Sequence, residues 1–352
     1  MPDEESKKQP PRPFVQRLWR MAMLVSILAC LPTILGFLGR VWYRFEWMSH
    51  FRVQYVFGLL PFVVVFLIGK RWRTAIPPAA CMLINIALIV PLYFGGDRTD
   101  ANSETIRAAS INVLTSNRKS ELVLDYISET KPDIVVLLEV NDRWMKAIEP
   151  LREDYPHQIT EPREDNFGIA LFSRLPVEES EIHRFEPARV PTIVAQLRHE
   201  EHPFTLIATH PVPPGNARCT CERDTQMESI ARVANNIDTP LVLIGDLNTT
   251  SWSYCFRDFV KASGLRDSRK GFGVQASWPS FNPLLRIPLD HCLVSDAIVV
   301  HHREVGPFVG SDHYPILVDF SVKQLKKASA VVEAILQRRQ RQRATQGLEK
   351  IG

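Results

Sequence analysis

The sequence predicts a membrane-embedded helical region followed by a layered α/β domain, and two observations carry this prediction. Long apolar stretches with few charges occupy the first hundred residues. After them, short apolar runs of strand length alternate with amphipathic helical patterns as far as residue 322. A chain of 352 residues with 45% hydrophobic side chains has room for one large domain and a smaller one. We therefore expect an α/β domain of about 220 residues behind the membrane region.

Three apolar segments in the N-terminal region are candidates for membrane-spanning helices. A helix needs about 20 predominantly apolar residues to cross the hydrocarbon layer. The candidates follow a basic leader over residues 1–20 and cover about 21–39, 51–69 and 75–95 of a membrane region over 21–96. The second begins with the polar residues Arg52 and Gln54, and the third contains Asn85. The alternative is a buried helical subdomain, which the scarcity of charges disfavours.

Lys and Arg residues around these segments predict their orientation, because cytoplasmic loops are enriched in positive charge. The leader holds five of them, and residues 70–73 hold three, so both stretches are expected in the cytoplasm. Residues 40–52, which this orientation places outside the cytoplasm, contain three Arg residues over a longer stretch and so partly oppose the orientation. Trp47 in the same stretch suits the membrane interface. Three crossings place the chain from about residue 97 outside the cytoplasm. The sequence thus predicts a multi-pass protein of a plasma or inner membrane with an extracytoplasmic domain.

Charge is segregated along the chain. The net charge is +6 over residues 1–100, −9 over 101–322 and +6 over 323–352. Binding to long nucleic acid depends on Lys and Arg displacing counterions, so the acidic block disfavours nucleic acid as a partner and leaves the bilayer as the expected one. A polar linker over 97–105 precedes the domain over 106–322. The tail over 323–352 is either a basic helix that binds anionic lipid or a disordered, solvated segment.

Within the domain, hydrophobic periodicity predicts eight strands and four helices. The predicted strands are Arg107–Val113, Ile134–Leu138, Asn166–Phe172, Thr192–Leu197, Phe204–Thr209, Leu241–Ile244, His291–Ser295 and Ile316–Phe320. The predicted helices are Lys119–Thr130, Arg143–Glu153, Cys221–Asn236 and Trp252–Ala262.

Acids and amides follow two of the predicted buried strands. Glu139 ends the apolar run from Ile134, where an ionised side chain needs a partner or a metal ion. Asp246 and Asn248 follow a second run, and their two-residue spacing points both side chains the same way. A lone Glu at a strand end is as often an ordinary surface residue. The repeat of the arrangement favours a metal or phosphate site.

Histidines and aspartates at other strand ends supply an acid and a base. His210 closes a predicted strand and precedes a proline-rich loop, although a single such histidine is more often structural. Asp290 precedes another strand, and Asp312 stands beside His313. An Asp that accepts a hydrogen bond from one ring nitrogen fixes the tautomer of a histidine and raises its basicity.

Seven short motifs occur in the order seen in the endonuclease/exonuclease/phosphatase family, and residues 105–322 resemble that family as a whole. In chain order, the motifs are Ser110-Ile111-Asn112-Val113, Leu138-Glu139-Val140, the segment 166–176, Thr209-His210, Gly245-Asp246-Leu247-Asn248, Asp290-His291 and the segment 310–315 around Ser311-Asp312-His313. The resemblance implies a four-layer α/β/β/α sandwich of two mixed β-sheets and a Mg²⁺-dependent phosphoesterase, with Mn²⁺ or Ca²⁺ as alternative ions.

The resemblance also implies a metal site. Glu139 corresponds to the family's metal-binding glutamate, and Asn112 beside it orients the metal shell or the phosphate. Asp312 matches a position that contributes to metal binding.

The remaining motif residues carry implied catalytic roles. Asp246 and Asn248 correspond to residues that position the attacking water and a non-bridging oxygen. Asp290 is expected to pair with His313. His210 resembles the histidine that pancreatic deoxyribonuclease and the neutral sphingomyelinases place against the phosphate.

The substrate is left open between a phospholipid or phosphoinositide headgroup and nucleic acid, because the family includes enzymes for each. Trp278 and Arg286 precede Asp290 and are candidates for stacking on or clamping the substrate, although such residues equally often pack a loop. The leading hypothesis is a membrane-tethered, divalent-metal-dependent phosphodiesterase. The alternative is a catalytically silent protein that binds a ligand or organises the membrane with the same fold.

Overall fold

The computed structural model describes residues 13–97 and 104–323. The leader before residue 13, most of the predicted linker and the basic tail from residue 324 lie outside the described residues.

Over residues 13–97, which the structure describes, the N-terminal region has four α-helices. They are α1 (Pro13–Leu35), α2 (Tyr43–Trp47), α3 (Arg52–Ile68) and α4 (Trp72–Ile89). Two helical segments, Pro13–Leu38 and Trp72–Tyr93, are long and apolar enough to cross a membrane. The segment predicted as the middle span forms a shorter apolar helix, Arg52–Ile68, of 17 residues. The short helix α2 lies in the predicted connection between the first and second apolar segments.

Polar side chains join the three longer helices inside their bundle. The guanidinium of Arg52 donates to the carbonyl of Thr33 over 2.9 Å and to Oδ1 of Asn85 over 3.2 Å. The amide of Asn85 in turn donates to Oγ1 of Thr33 over 2.9 Å. All three residues are buried. The polar interruptions of the second and third apolar segments therefore bond to each other and to α1.

The soluble domain contains two six-stranded sheets. The first has the order β11-β12-β1-β2-β4-β3 and the second the order β5-β6-β7-β8-β10-β9. The strands are β1 (Ile106–Asn112), β2 (Ile134–Leu138), β3 (His157–Glu161), β4 (Ile169–Ser173), β5 (Val177–Arg184), β6 (Pro191–His199), β7 (His202–Thr209), β8 (Leu241–Asp246), β9 (Arg266–Asp267), β10 (Asp290–Val294), β11 (Ile298–Val305) and β12 (Ile316–Val322). Each sheet has one parallel pair, β1 with β2 and β7 with β8, among antiparallel neighbours. The predicted two mixed sheets are confirmed.

Helices pack on the outer side of each sheet. They are α5 (Ser120–Thr130), α6 (Asp142–Ala147), α7 (Leu151–Asp154), α8 (Ala217–Asn235) and α9 (Tyr254–Ser263). One core joins α5 and α6 to the first sheet around Trp144, and another joins α8 and α9 to the second sheet around Phe256. Between the sheets, the rings of Phe204 and Phe320 meet edge to face at 5.8 Å. The domain is therefore layered as α/β/β/α.

The strands that periodicity did not predict are β3, β5, β9 and β11, and these are the four edge strands of the two sheets. β5 is mostly exposed, and every residue of β3 is only partly buried. An edge strand buries less of either face, so its sequence lacks the continuous apolar run that marks a central strand. The helix predicted over Arg143–Glu153 is two helices, α6 and α7, with Pro150 at the start of the second.

Gly245 is required where β8 passes close to β7. Its backbone φ is +152°, and a Cβ added there would lie 2.0 Å from the carbonyl oxygen of Thr209. Backbone of a neighbouring strand cannot give way as a flexible side chain does. Only glycine therefore fits at the position that precedes Asp246.

We predict that Gly245→Ala destabilises the protein by on the order of 2 kcal/mol or more, because the new Cβ collides with backbone in an unfavourable φ region. Thermal unfolding of the full chain in detergent measures this effect. Gly215→Ala is the matched control, since a Cβ at Gly215 meets nothing within 4 Å. Equal stability of the two variants would contradict the prediction.

Candidate active site

Strand pairing brings four polar side chains to one edge of the two sheets. Asn112 ends β1 and is the register partner of Leu138, so Glu139 follows directly beside it in the first sheet. Asp246 ends β8 and pairs with Asp290, the first residue of the antiparallel strand β10, in the second sheet. The predicted positions at strand ends thus meet because the strands are neighbours, although the residues are far apart in sequence.

The amide of Asn112 connects the two sheets. Its Nδ2 donates to Oε1 of Glu139 over 2.9 Å and lies 3.3 Å from Oδ2 of Asp246. The other carboxylate oxygen of Glu139 accepts from the backbone N–H of Thr115 over 3.3 Å, and the Thr115 hydroxyl donates to the Glu139 carbonyl over 2.8 Å. Thr115 was not found from the sequence, because it lies in a loop without a distinctive motif.

His313 and Asp290 form a buried pair. Nδ1 of His313 lies 2.9 Å from Oδ2 of Asp290, and Nε2 on the other side of the ring lies 3.5 Å from Oδ2 of Asp246. Burial by itself lowers the pKa of His313, but the charges of Asp290 and Asp246 outweigh it and raise the pKa to about 10. The imidazole is therefore a cation at neutral pH in this structure.

His210 lies against the same carboxylate as His313. Its Nε2 is 3.4 Å from Oδ2 of Asp246, and its ring is 5.6 Å from that of Phe167. Burial lowers the pKa of His210, but the hydrogen bond and charge of Asp246 outweigh it, so the pKa is raised. Burial also raises the pKa of Asp246, and the two imidazoles reverse this effect and hold its pKa far below the usual range. Asp246 is thus an ionised carboxylate between two imidazoles.

The remaining predicted site residues are divided between the catalytic pocket and an adjacent cavity. Asn248 lines the pocket, and its Nδ2 donates to the carbonyl of Pro211 over 2.9 Å. Asp312 also lines the pocket, and its Oδ2 accepts from Nε1 of Trp278 over 3.0 Å. Arg286 lines an adjacent cavity instead, where its guanidinium lies 4.5 Å above the ring of Tyr314.

Three pocket residues have strained backbones. Glu139, Asn166 and Asn248 have φ values of +64°, +66° and +50°. Asparagine tolerates the left-handed region better than other residues with a side chain, whereas glutamate is uncommon there. Such conformations cost of order 1–3 kcal/mol each, and they cluster at functional sites in proteins.

These side chains surround a pocket of about 510 Å³. The soluble domain contributes Glu139, Phe167, His210, Asp246, Asn248, Trp278, Asp312 and His313 to its lining. The N-terminal region contributes Trp47, His50 and Phe51. The sequence did not reveal this second wall, since Trp47 has the composition of a membrane-interface residue and nothing local relates it to a catalytic motif.

A buried ion pair holds the N-terminal wall against the domain. Glu46 of α2 accepts two hydrogen bonds from Arg223 of α8, over 2.9 Å and 2.8 Å, and both side chains are fully buried. Nearby, Nε1 of Trp47 donates to the carbonyl of Pro214 over 2.8 Å, and Nδ1 of His50 lies 3.0 Å from Oγ1 of Thr250. The wall is therefore fixed by directional contacts and by packing.

The oxygen donors in the pocket fit a hard divalent cation. Glu139 is half-buried with its carboxylate at the pocket, and carboxylate and amide oxygens are the ligands that Mg²⁺ prefers. A second group, Asp246, Asp290 and His313, places one ligand atom from each residue within 4.8 Å of the others. That group contains an imidazole that already bonds to one of the carboxylates. The donor chemistry therefore favours Glu139 as the residue that would hold Mg²⁺, with Asn112 positioning its carboxylate through Nδ2.

The fold is similar to those of several solved structures. D. rerio TDP2 complexed with a single-strand DNA product is 17% identical with a TM-score of 0.53, over 62% of this chain and 100% of that one. The human Nocturnin catalytic domain is 21% identical with a TM-score of 0.52, over 62% and 95%. Beta toxin of Staphylococcus aureus with bound magnesium ions is 18% identical with a TM-score of 0.50, over 63% and 100%.

The sequence gives the family directly. Residues 109–313 match the endonuclease/exonuclease/phosphatase family, and the chain belongs to it. A comparison with curated proteins finds no significant match in sequence. Members of the family generally hydrolyse phosphoester bonds and depend on divalent metal ions.

We predict that Arg223→Met destabilises the full chain by about 3–5 kcal/mol, because it leaves Glu46 buried without a charge partner. Thermal unfolding in detergent measures the change. Arg218→Met on the same helix is the matched control, since Arg218 pairs with Glu222 at the exposed surface and its loss is expected to change stability little. Equal melting temperatures for the two variants would show that the buried pair does not hold α2.

Proposed function

We propose that this protein is a membrane-tethered phosphodiesterase that hydrolyses phosphoester bonds with a divalent metal ion, on the side of the membrane opposite the cytoplasm. The observation that carries the proposal is the arrangement of Glu139, Asn112 and Asp246 beside the His313–Asp290 pair in one pocket. It combines oxygen donors for a cation, an ionised carboxylate and an imidazole whose pKa is raised by the neighbouring carboxylates.

The side chains have complementary roles in this reaction. Asp246 is ionised and accepts a hydrogen bond from the attacking water, which it orients towards phosphorus. His313 is held by Asp290 and donates from Nε2 to a phosphoryl oxygen as negative charge develops there. His210 donates from Nε2 to the phosphate on the same side as Asp246. Asn248 at the pocket wall limits how the phosphate can turn.

Glu139 would hold the metal ion, and Asn112 positions the Glu139 carboxylate through its Nδ2. A Mg²⁺ ion bound there would supply positive charge to neutralise the phosphoryl group. Asp312 is the next carboxylate along the pocket wall and is a further candidate ligand, although Trp278 bonds to one of its oxygens.

The contacts between the two parts of the chain support three membrane crossings. The domain contacts residues 46–50, between α1 and α3, and the backbone N–H of Gly271 donates to the carbonyl of Leu92 after α4 over 2.9 Å. At the other end of the bundle, Arg71 lies 4.6 Å above the ring of Trp19. Three crossings put the α1–α3 connection and the end of α4 on the same side. A 17-residue α3 is at the short end of what spans the hydrocarbon layer.

Lipid phosphoesters fit this protein better than nucleic acid. The net charge of −9 over residues 101–322 opposes binding of a polyanion, and the helices hold the site at a bilayer. The TDP2 structure with a DNA product shows that the fold also accommodates nucleic acid. A catalytically silent protein with the same fold is the competing function.

We predict that the purified full chain hydrolyses 4-nitrophenyl phosphodiesters with Mg²⁺ and that Glu139→Gln lowers kcat/KM at least a hundredfold, because the metal loses its carboxylate ligand. Release of 4-nitrophenol measures the rate, and EDTA abolishes it. Glu121→Gln on the exposed face of α5 is the matched control and keeps full activity. Absence of metal-dependent turnover on phosphodiesters, DNA, RNA and phospholipids alike would establish the silent alternative.

Topology is tested by fusion to alkaline phosphatase, which is active only outside the cytoplasm. A fusion after Gly96 is expected to be active, because three crossings export that position. A fusion after Gly69, in the turn between α3 and α4, is expected to be inactive. The reverse pattern would overturn the proposed orientation, and two active fusions would overturn the three crossings.

A further inference from the structure

A second cavity lies beside the catalytic pocket, between the N-terminal helices and the soluble domain. It has a volume of about 800 Å³. Val56 and Phe57 of α3 and Ile86 of α4 line one side, and Ala276 and Leu284 line the other. Apart from Gln54 and Arg286, its lining is apolar or aromatic. The cavity is large enough for a ligand, since small-molecule pockets are typically about 300–1,000 Å³.

The cavity and the catalytic pocket are neighbours. Gln54 and Arg286 line the cavity, and the amide of Gln54 donates to the Arg286 carbonyl over 2.9 Å. Ile287, the next residue after Arg286, lines the catalytic pocket together with Phe51. The polar catalytic pocket and the apolar cavity therefore adjoin at residues 286 and 287.

The cavity also adjoins apolar surface that faces outward. Leu284 at its rim is 80% exposed, and Phe281 in the same loop is 76% exposed. Phe57 of α3, which lines the cavity, is exposed as well. Exposed apolar side chains on a loop and on an apolar helix are typical of a surface in contact with a bilayer. The route into the cavity is thus lined by groups compatible with hydrocarbon.

We propose that this cavity is a subsite for the hydrocarbon chain of the substrate, which is accordingly a lipid phosphoester drawn from the bilayer. The inference rests on the proposed phosphodiesterase function and adds the site that holds the hydrocarbon part of a lipid substrate. The phosphate of the substrate lies at Asp246 and His313. Its hydrocarbon chain extends past Phe51 and Gln54 into the space between α3, α4 and residues 274–286. Residues outside the matched family region, on α3 and α4, select the substrate.

The test uses the full chain in detergent with Mg²⁺ and a series of 4-nitrophenyl alkyl phosphates whose alkyl group is methyl, octyl or hexadecyl. Each methylene buried in the cavity is expected to raise kcat/KM about fourfold until the cavity is filled. Val56→Trp and Ala276→Trp fill the cavity from opposite walls. Each is expected to lower kcat/KM for the hexadecyl ester at least tenfold and to leave the methyl ester unchanged.

Val64→Trp is the matched control, because Val64 lies on the same helix, is 44% exposed and does not line the cavity. It experiences the same partitioning of long-chain ester into micelles and is expected to behave as the wild type. Equal hexadecyl activity in all four proteins would overturn the subsite while the methyl ester still establishes the hydrolase.

A second measurement does not need turnover. A lysophosphatidylcholine with a diazirine in its acyl chain is cross-linked to the full chain in nanodiscs, and the labelled peptides are mapped by mass spectrometry. Labelling of residues 274–286 that Val56→Trp abolishes and Val64→Trp preserves is the expected result. Labelling confined to the outer faces of the helices, whatever the variant, would overturn the subsite even if the hydrolase proposal had already failed.

Discussion

The hydrogen bonds from the Asn112 amide are the constraint on which the site depends. The amide joins Glu139 in the first sheet to Asp246 in the second, and it does so from a buried position where its donors have few other partners. Two neighbouring carboxylates repel each other. A neutral N–H donor between them reduces this repulsion while both carboxylates stay ionised. The two sheets can therefore pack face to face while these acidic groups meet at one edge, and the imidazoles of His210 and His313 lie against Asp246 and offset its charge.

The sequence predicted those parts of the fold whose signal is local. Ile134–Leu138 is buried at every position, and its continuous apolar run is visible without knowledge of its neighbours. The edge strand Val177–Arg184 is largely exposed, so its sequence lacks the alternation of apolar and polar residues that marks a half-buried strand. Its pairing with β6 depends on tertiary structure. Strand-end acids were predictable for the same reason as central strands, since a charged residue directly after a buried run is conspicuous.

The second wall of the pocket could not be predicted in this way. Glu46 and Arg223 are 177 residues apart, and each stands in a segment whose charge has an ordinary local explanation. Trp47 is typical of residues at a membrane interface, and a position at the interface is compatible with its place in the pocket wall. For Arg286 the local sequence pointed to the wrong space. Its position shortly before Asp290 suggested the catalytic pocket, but its guanidinium packs on Tyr314 and lines the adjoining cavity.

The N-terminal helices are therefore better regarded as part of the site than as an anchor for it. A tether would need only a flexible connection. Here the carboxylate of Glu46 on α2 is fully buried in an ion pair with Arg223 of the domain. Burying an ion pair is unfavourable unless its geometry compensates for the lost hydration. A fragment that begins at the linker would lack that carboxylate, leave Arg223 without its buried partner and open the pocket on the side of Trp47 and Phe51. The proposed chemistry at the phosphate does not require the helices, because Glu139, Asp246 and His313 all belong to the domain. The proposed selection among substrates does require them, because Trp47, His50 and Phe51 form part of the pocket wall.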